Sequence, residues 1–203
     1  MLKRTLDILV AAVLLLALLP LFLAVAALVR ARLGSPIFFT QTRIGRDEKP
    51  FQLIKFRTMT DARAADGSLR DDAHRLTPFG HWLRASSIDE LPELWNILTG
   101  DMSLVGPRPL LPHYLPCYTP RERLRHRVRP GITGLAQVNG RNAISWDARL
   151  ELDAQYVDHF SFVRDLAILW QTIAVVWKRQ GISAEGQPTM HALDVERAHK
   201  GTP

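Results

Sequence analysis

The chain has a single cysteine, Cys117, among its 203 residues. No disulfide can form within it, which fits a reducing compartment or indifference to redox, and a lone thiol is more often a packed small side chain than a nucleophile. The seven histidines (74, 81, 113, 126, 159, 191 and 199) are scattered, and no two stand at the helical spacing of a zinc site. Neither a Walker-type phosphate loop nor a dinucleotide fingerprint occurs, so ATPase and Rossmann readings fail. Internal repeats and low-complexity stretches are also missing. Aromatic residues are absent from the most basic run, residues 121–129 (RERLRHRVR), which leaves nucleic-acid bases no stacking platform there. No nucleic-acid partner is expected.

Charge is missing from one long segment. Residues 8–29 hold no ionisable side chain, although the whole chain carries a formal charge of +6. The positive balance elsewhere points to an anionic partner, either anionic lipid or a phosphorylated small molecule. The apolar run itself, ILVAAVLLLALLPLFLAVAALV, would make a helix of about 33 Å, long enough to cross a bilayer. Arg30 and Arg32 follow it where a signal peptide would have a small-residue cleavage site. Pro20 interrupts it, removing one backbone hydrogen bond and crowding the Leu16 carbonyl. Lys3 and Arg4 precede the run, so basic residues flank both ends, and basic flanks favour the cytoplasmic face. From the residues alone, a kinked spanning helix is the simpler reading and a helix that dips in and returns is the alternative.

After Gly34 the chain reads as one domain. Residues 35–40 (SPIFFT) and 51–57 (FQLIKFR) have strand character, and residues 61–72 lack any apolar stripe and read as an exposed loop. Helices are expected over 79–85, 89–98, 146–160 and 163–180. The last of these is too apolar for a free surface; it is either a core helix or an interfacial helix with Trp170 and Trp177 at headgroup depth. Residues 189–203 show no pattern, and a disordered tail is expected.

Chemistry concentrates in residues 84–98, RASSIDELPELWNIL. Pro92 fits only a first helical turn, which places Asp89 and Glu90 at a helix N-terminus. Ser87 and Glu90 then have the spacing of a capping box. The same position also suits catalysis: a carboxylate kept ionised can attack phosphorus, and its neighbour can hold a divalent cation or move a proton. Residues 100–110, GDMSLVGPRPL, have too much Pro and Gly for regular structure and read as a stiff loop presenting Arg108 to phosphate. Residues 121–129 read as a solvated face or a contact for anionic headgroups. The glycines of PGITGLAQVNGRNAISW suggest a backbone-lined binding loop with Arg141 at its tip.

Taken together, LKRTLDI, the Pro-broken apolar run, PIFFTQTRIG, FQLIKFRTM, SIDELPELWNIL, GDMSLVGPRPLL and RPGITGLAQVNGRNAISW resemble the monotopic polyprenyl-phosphate phosphoglycosyl transferases. These bacterial sugar transferases start glycan assembly on a lipid carrier, and the likeness runs through nearly the whole chain. The resemblance implies an α+β, mainly helical fold. Residues 1–33 would form a re-entrant membrane helix broken at Pro20. Residues 34–188 would form a small cytoplasmic catalytic domain with interfacial helices, and 189–203 the tail. It implies transfer of a sugar 1-phosphate from a UDP-sugar to polyprenyl (undecaprenyl) phosphate at the cytoplasmic face of the bacterial inner membrane, with release of UMP. Asp89 would be the nucleophile that holds the sugar phosphate covalently. Glu90 would assist through Mg2+ or by managing a proton, the two acids being the metal ligands. Arg84, Arg108 and Arg141 would bind phosphate, with Lys55 and Arg57 as further substrate-binding positions. Likeness to the family's bacillosamine-pathway member makes an N-acetylated amino sugar the expected cargo. Downstream glycosyltransferases are possible partners. The larger relatives' additional membrane spans have no counterpart here, which suggests the minimal form.

Overall fold

A computed structural model describes residues 2–140, 144–177 and 192–199. Helix α1 (Leu2–Ala17) and helix α2 (Leu19–Leu33) meet at Leu18 with a bend of 64°. Pro20 occupies the first turn of α2, where its missing N–H falls among donors that have no intrahelical acceptor. Among the described residues no single helix is long and apolar enough to cross a membrane; the bent pair together has the length and composition.

Both outer ends of this pair are fastened to the rest of the chain. Lys3 Nζ donates to Asp165 at 2.6 Å and to the Val105 carbonyl at 3.1 Å, and Arg4 donates to the Leu98 and Met102 carbonyls. Buried Asp7 accepts from the Ser103 hydroxyl and the Leu104 N–H. On α2, Val25, Val29 and Leu33 pack against Phe56 and Leu83. The elbow between them is exposed and apolar, with Leu16 at 74% and Leu23 at 61%.

Strands β1 (Phe38–Ile44) and β2 (Pro50–Phe56) form an antiparallel hairpin with Phe38 opposite Phe56 and Ile44 opposite Pro50. The first strand begins later than SPIFFT suggested, since Pro36 has no N–H to give a ladder, and continues through the alternating TQTRI. Helix α3 (Asp72–Arg75) is capped by Asp71 after the polar loop, and helix α4 (Pro78–Ala85) by the Thr77 hydroxyl, which accepts from Gly80 N–H at 3.0 Å.

The expected helix over 89–98 divides. Residues Ile88–Glu90 form one 3-10 turn, and helix α5 (Glu93–Thr99) starts only after Pro92. Ser87 stands in the left-handed region (φ 56°) and its side chain caps nothing. The capping box is therefore absent, because Glu90 is engaged elsewhere. Residues 100–110 are also more regular than their Pro and Gly content suggested. Strand β3 (Ser103–Val105) pairs in parallel with strand β4 (Gly131–Thr133). Here glycine serves close approach: a Cβ on Gly131 would lie 2.1 Å from the Gly106 nitrogen, and one on Gly134 2.2 Å from the Gly106 carbonyl. These two glycines line a backbone seam where a ligand loop was expected.

Helix α6 (Leu135–Val138) follows, then α7 (Trp146–Asp158), capped by Ser145, and α8 (Phe162–Trp177). Ile168 and Asp165 of α8 are buried, but Val163, Leu166, Trp170 and Ile173 share an exposed stripe, Trp170 at 75%. A purely core helix is thus ruled out. Residues 121–129 are a solvated face only in part: Arg121, Arg123 and Arg127 are exposed. Arg125 is buried on Asp153 at 2.9 Å, and Arg121 and Arg123 bridge to Glu151 and Glu48. The tail departs from expectation as well: helix α9 (Leu193–His199) docks through Leu193, fully buried against Tyr114, Tyr118 and Trp146, while Arg197 pairs with Glu122 and Asp147. One apolar residue and one arginine are too short a pattern to read as a helix from sequence.

Candidate active site

Asn96 of α5 sets the frame. Its side-chain oxygen accepts from Ile54 N–H at 3.1 Å and its amide donates to the Gln52 carbonyl at 2.7 Å, so it pairs with β2 as another strand would. This fixes α5 against β2 and brings the carboxylates of the 88–93 segment to Lys55. Lys55 Nζ lies 2.8 Å from Glu90 Oε1 and 3.0 Å from Glu93 Oε1. Arg108, carried by the loop after β3, donates to the same Glu90 oxygen at 2.5 Å.

Asp89, adjacent in sequence, is buried at 7% exposure and has no hydrogen-bond or ion-pair partner among the described residues. Burial and then the neighbouring Glu90 charge push its carboxyl up to about 7. Glu90 goes the other way: burial opposes its charge, but Arg108 and Lys55 outweigh that and hold it well below the usual carboxylate range. Glu93 is raised, chiefly by burial. Lys55 stays protonated, because Glu90 and Glu93 outweigh the cost of burying it. Two adjacent carboxyls thus have opposite tendencies, a division that assigns different work to each.

The other expected residues separate. Arg84 donates Nε to the Thr58 hydroxyl at 3.1 Å and is close enough to favour ionised Asp89. Arg57 is buried with its guanidinium taken up by the Met59 and Ser35 carbonyls and by Asp61 at 2.7 Å, away from the dyad. Arg141 lies outside the described residues. Sequence reasoning missed three neighbours of Arg108 and Lys55. Glu93 is the third acid of the cluster, and its spacing of three from Glu90 was the available signal. Arg43 of β1 donates to the Pro109 carbonyl at 3.4 Å and to Gln41 at 2.6 Å, has no carboxylate partner among the described residues, and is lowered to about 10 by burial and then Arg108. Arg149 of α7 lies over the Trp146 ring at 4.9 Å and is likewise lowered to about 10 by burial and Arg108. Arg125 holds the loop from behind, donating to the Arg108 carbonyl at 2.6 Å.

No group of three metal-ligating side chains occurs among the described residues. Free Asp89 and the unshared oxygen of Glu90 are too few for a closed protein cage. They fit the habit of Mg2+, which takes one or two carboxylates and completes its shell with water and substrate phosphates.

Comparison with known proteins places the chain among sugar transferases. The family model for bacterial sugar transferases matches residues 1–179. The sugar transferase EpsL of Bacillus subtilis (strain 168) is 53% identical over 188 residues, covering 93% of each chain. The undecaprenyl-phosphate galactose phosphotransferase of Salmonella typhimurium is 38% identical over 198 residues, 89% of this chain and 41% of that protein. The UDP-glucose:undecaprenyl-phosphate glucose-1-phosphate transferase of Klebsiella pneumoniae is 38% identical over 181 residues, 84% of this chain and 39% of that one. The matched segment is therefore less than half of those two longer relatives, with the dyad and the Arg108 loop inside it. The chain belongs to the bacterial sugar transferase family.

Proposed function

We propose that the chain transfers a sugar 1-phosphate from a UDP-sugar to a polyprenyl phosphate, undecaprenyl phosphate in the named relatives, and so starts assembly of a lipid-linked glycan. The observation that carries this is the unpartnered, buried carboxyl of Asp89 beside a Glu90 held ionised by Lys55 and Arg108. An Asp89 oxygen attacks the β-phosphorus of the donor, the bond from that phosphorus to the bridging oxygen breaks, and UMP leaves with the electron pair. An oxygen of the lipid phosphate then attacks the same phosphorus and the aspartyl oxygen leaves as carboxylate. Covalent catalysis of this kind needs the nucleophile anionic. Arg84 favours that form, and Arg108 can exchange part of its bond to Glu90 for a phosphate oxygen, a bidentate geometry suited to guanidinium. The family resemblance adds Arg141 and Lys55 as phosphate-binding cations; Arg57, taken up by the Met59 and Ser35 carbonyls and Asp61, supports the hairpin instead. Asp89 and Glu90 would hold Mg2+, which supplies charge neutralisation where phosphates meet two carboxylates.

The bent helix pair supports a one-sided placement on the membrane. Lys3 and Arg4 at one end, and α2 at the other, both grip the same body, so an elbow buried in lipid returns both ends to one side. Carbonyls freed at the break would need local partners, since lipid offers none. The catalytic body then rests on the cytoplasmic face of the inner membrane, with the apolar stripe of α8 at the interface. Relatives named for glucose and galactose make a neutral hexose a competitor to the N-acetylated amino sugar.

The test incubates detergent-solubilised protein with polyprenyl phosphate and a panel of UDP-sugars, before and after chelation by EDTA. UMP release for one donor, stopped by EDTA and restored by magnesium, is expected. No UMP with any donor would make the chain a non-catalytic scaffold.

A further inference from the structure

A cavity of about 150 Å³ lies between the β1–β2 turn and the C-terminal end of α5, lined by Arg46, Asp47, Lys49, Gly100, Asp101 and Arg129 among others. At ~30 Å³ per water it has room for about five waters, and hence for a phosphoryl group. It is not the dyad site: Lys55 stands five residues along β2 from Pro50, about 17 Å away by strand rise.

Cations meet here without adequate counter-charge. Arg129 uses only Nε, donating to the Gly100 carbonyl at 2.7 Å, and its terminal nitrogens have no hydrogen-bond partner among the described residues. Lys49 has none either. Arg46 shares Nε with Asp47 of its own turn at 3.2 Å. A fourth cation stands behind the wall, since a Cβ on Gly100 would lie 3.4 Å from Arg4 Nη2. The opposing acids are Asp47, Asp101 and buried Asp7; Asp101 already accepts from the Thr99 hydroxyl, and Asp7 from the Ser103 hydroxyl and the Leu104 N–H. Burial, then Arg46 and Arg4, lower the basicity of Arg129. Cations near the last carbonyls of α5 help its dipole, which accounts for Arg4 and Arg129 but not for Arg46 and Lys49. Those two are held at the cavity mouth by a turn whose centre, Asp47 and Glu48, is left-handed at φ 57° without glycine.

We infer that this cavity is a second anion site, which takes a phosphate group between Arg46, Lys49 and Arg129. Two sources share that chemistry. One is the headgroup of an anionic phospholipid at the root of α1, where Arg4 leaves the domain; the other is a soluble phosphate.

Acylation of Lys49 by an amine-reactive ester, read by peptide mass spectrometry on the full chain, reports occupancy at the cavity itself. Saturating inorganic phosphate should slow Lys49 acylation about tenfold relative to chloride of equal ionic strength, the order expected when an ammonium enters a charge-assisted hydrogen bond. In a parallel arm the protein is placed in phosphatidylglycerol or phosphatidylcholine nanodiscs. Slowing in the anionic discs as well as in phosphate identifies the headgroup; slowing in phosphate alone identifies a soluble anion. Arg46→Gln, which touches only its own turn, and Arg129→Gln should both abolish the protection. Unchanged Lys49 acylation in phosphate and in both disc types would overturn the inference. So would protection that survives both substitutions.

Discussion

Arg108 donates to Glu90 Oε1 at 2.5 Å, and the same oxygen accepts from Lys55 at 2.8 Å. One carboxylate oxygen thus accepts from two cations, Lys55 sharing its charge with Glu93 at 3.0 Å as well, while Asp89 beside it is left free and disposed to hold its proton. Glu90→Gln removes both ion pairs and the like charge that helps to raise Asp89. Turnover should fall by about 10²–10³, the scale of losing a positioned electrostatic group. The rise of the first half-reaction with pH, expected near 7 where Asp89 ionises, should move to lower pH. Steady-state rates across pH 5–9 for both proteins check this; an unmoved profile would separate Glu90 from the titration of Asp89.

Stability carries the same signature. Asp89 binds a proton in the folded chain that the unfolded chain releases near 3.8, so its contribution is full below that value and is lost as pH rises through about 7. Glu90 is depressed, so its contribution is present above about 4.5 and lost as pH falls. Asp89→Asn should therefore flatten the decline in Tm between pH 4 and 7. A wild-type Tm that climbs steadily over that interval, with no difference in Asp89→Asn, would contradict these environments.

Much of this was legible in sequence, and the failures have physical causes. The two strands, the bend and the α7 and α8 helices follow from β-like composition and alternation, from Pro20 and from helical pattern; the pairing of the strands does not. The capping box failed because local spacing cannot reveal that Glu90 is claimed by Lys55, 35 positions away, and by Arg108. The basic run misled for the same reason: Arg125 reads as a surface charge until Asp153 is placed against it, 28 positions on. Glycines 131 and 134 were read as ligand contacts, but only the pairing of β3 with β4 shows what they approach. Arg43 stands inside PIFFTQTRIG with nothing local to mark its role, which emerges only from its burial near Arg108.

Arg43 is a positioning residue in this account. It ties β1 to the Pro109 carbonyl, next to Arg108, and lies close enough to feel that guanidinium's charge. Arg43→Met should raise the KM for the UDP-sugar about tenfold or more, one lost charge-assisted bond, with a smaller change in kcat. Arg43→Lys, which keeps the charge, should recover most of the loss. Equal loss in Met and Lys variants, tracking a fall in Tm, would make Arg43 merely structural.

The bent helix pair predicts one-sided topology. Leu2 and Arg30 are exposed on the two arms, so Leu2→Cys and Arg30→Cys, each in a Cys117→Ser background, leave the Lys3–Asp165 pair intact. In intact cells both cysteines should resist a membrane-impermeant thiol reagent, and both should react after lysis. Labelling of the position 2 cysteine in intact cells would mean that the segment spans.

The central claim is a covalent sugar phosphate on Asp89, and isotope exchange tests it without the lipid acceptor. Radiolabelled UMP should pass into UDP-sugar when wild-type protein and donor are incubated with no polyprenyl phosphate, because the aspartyl intermediate can be attacked by UMP in reverse. Asp89→Asn, whose amide cannot take the phosphoryl group, should show no exchange while retaining the wild-type circular dichroism spectrum. Exchange at the wild-type rate in Asp89→Asn would contradict the account. Wild-type protein that turns over with lipid present, but shows no exchange without it, would do the same.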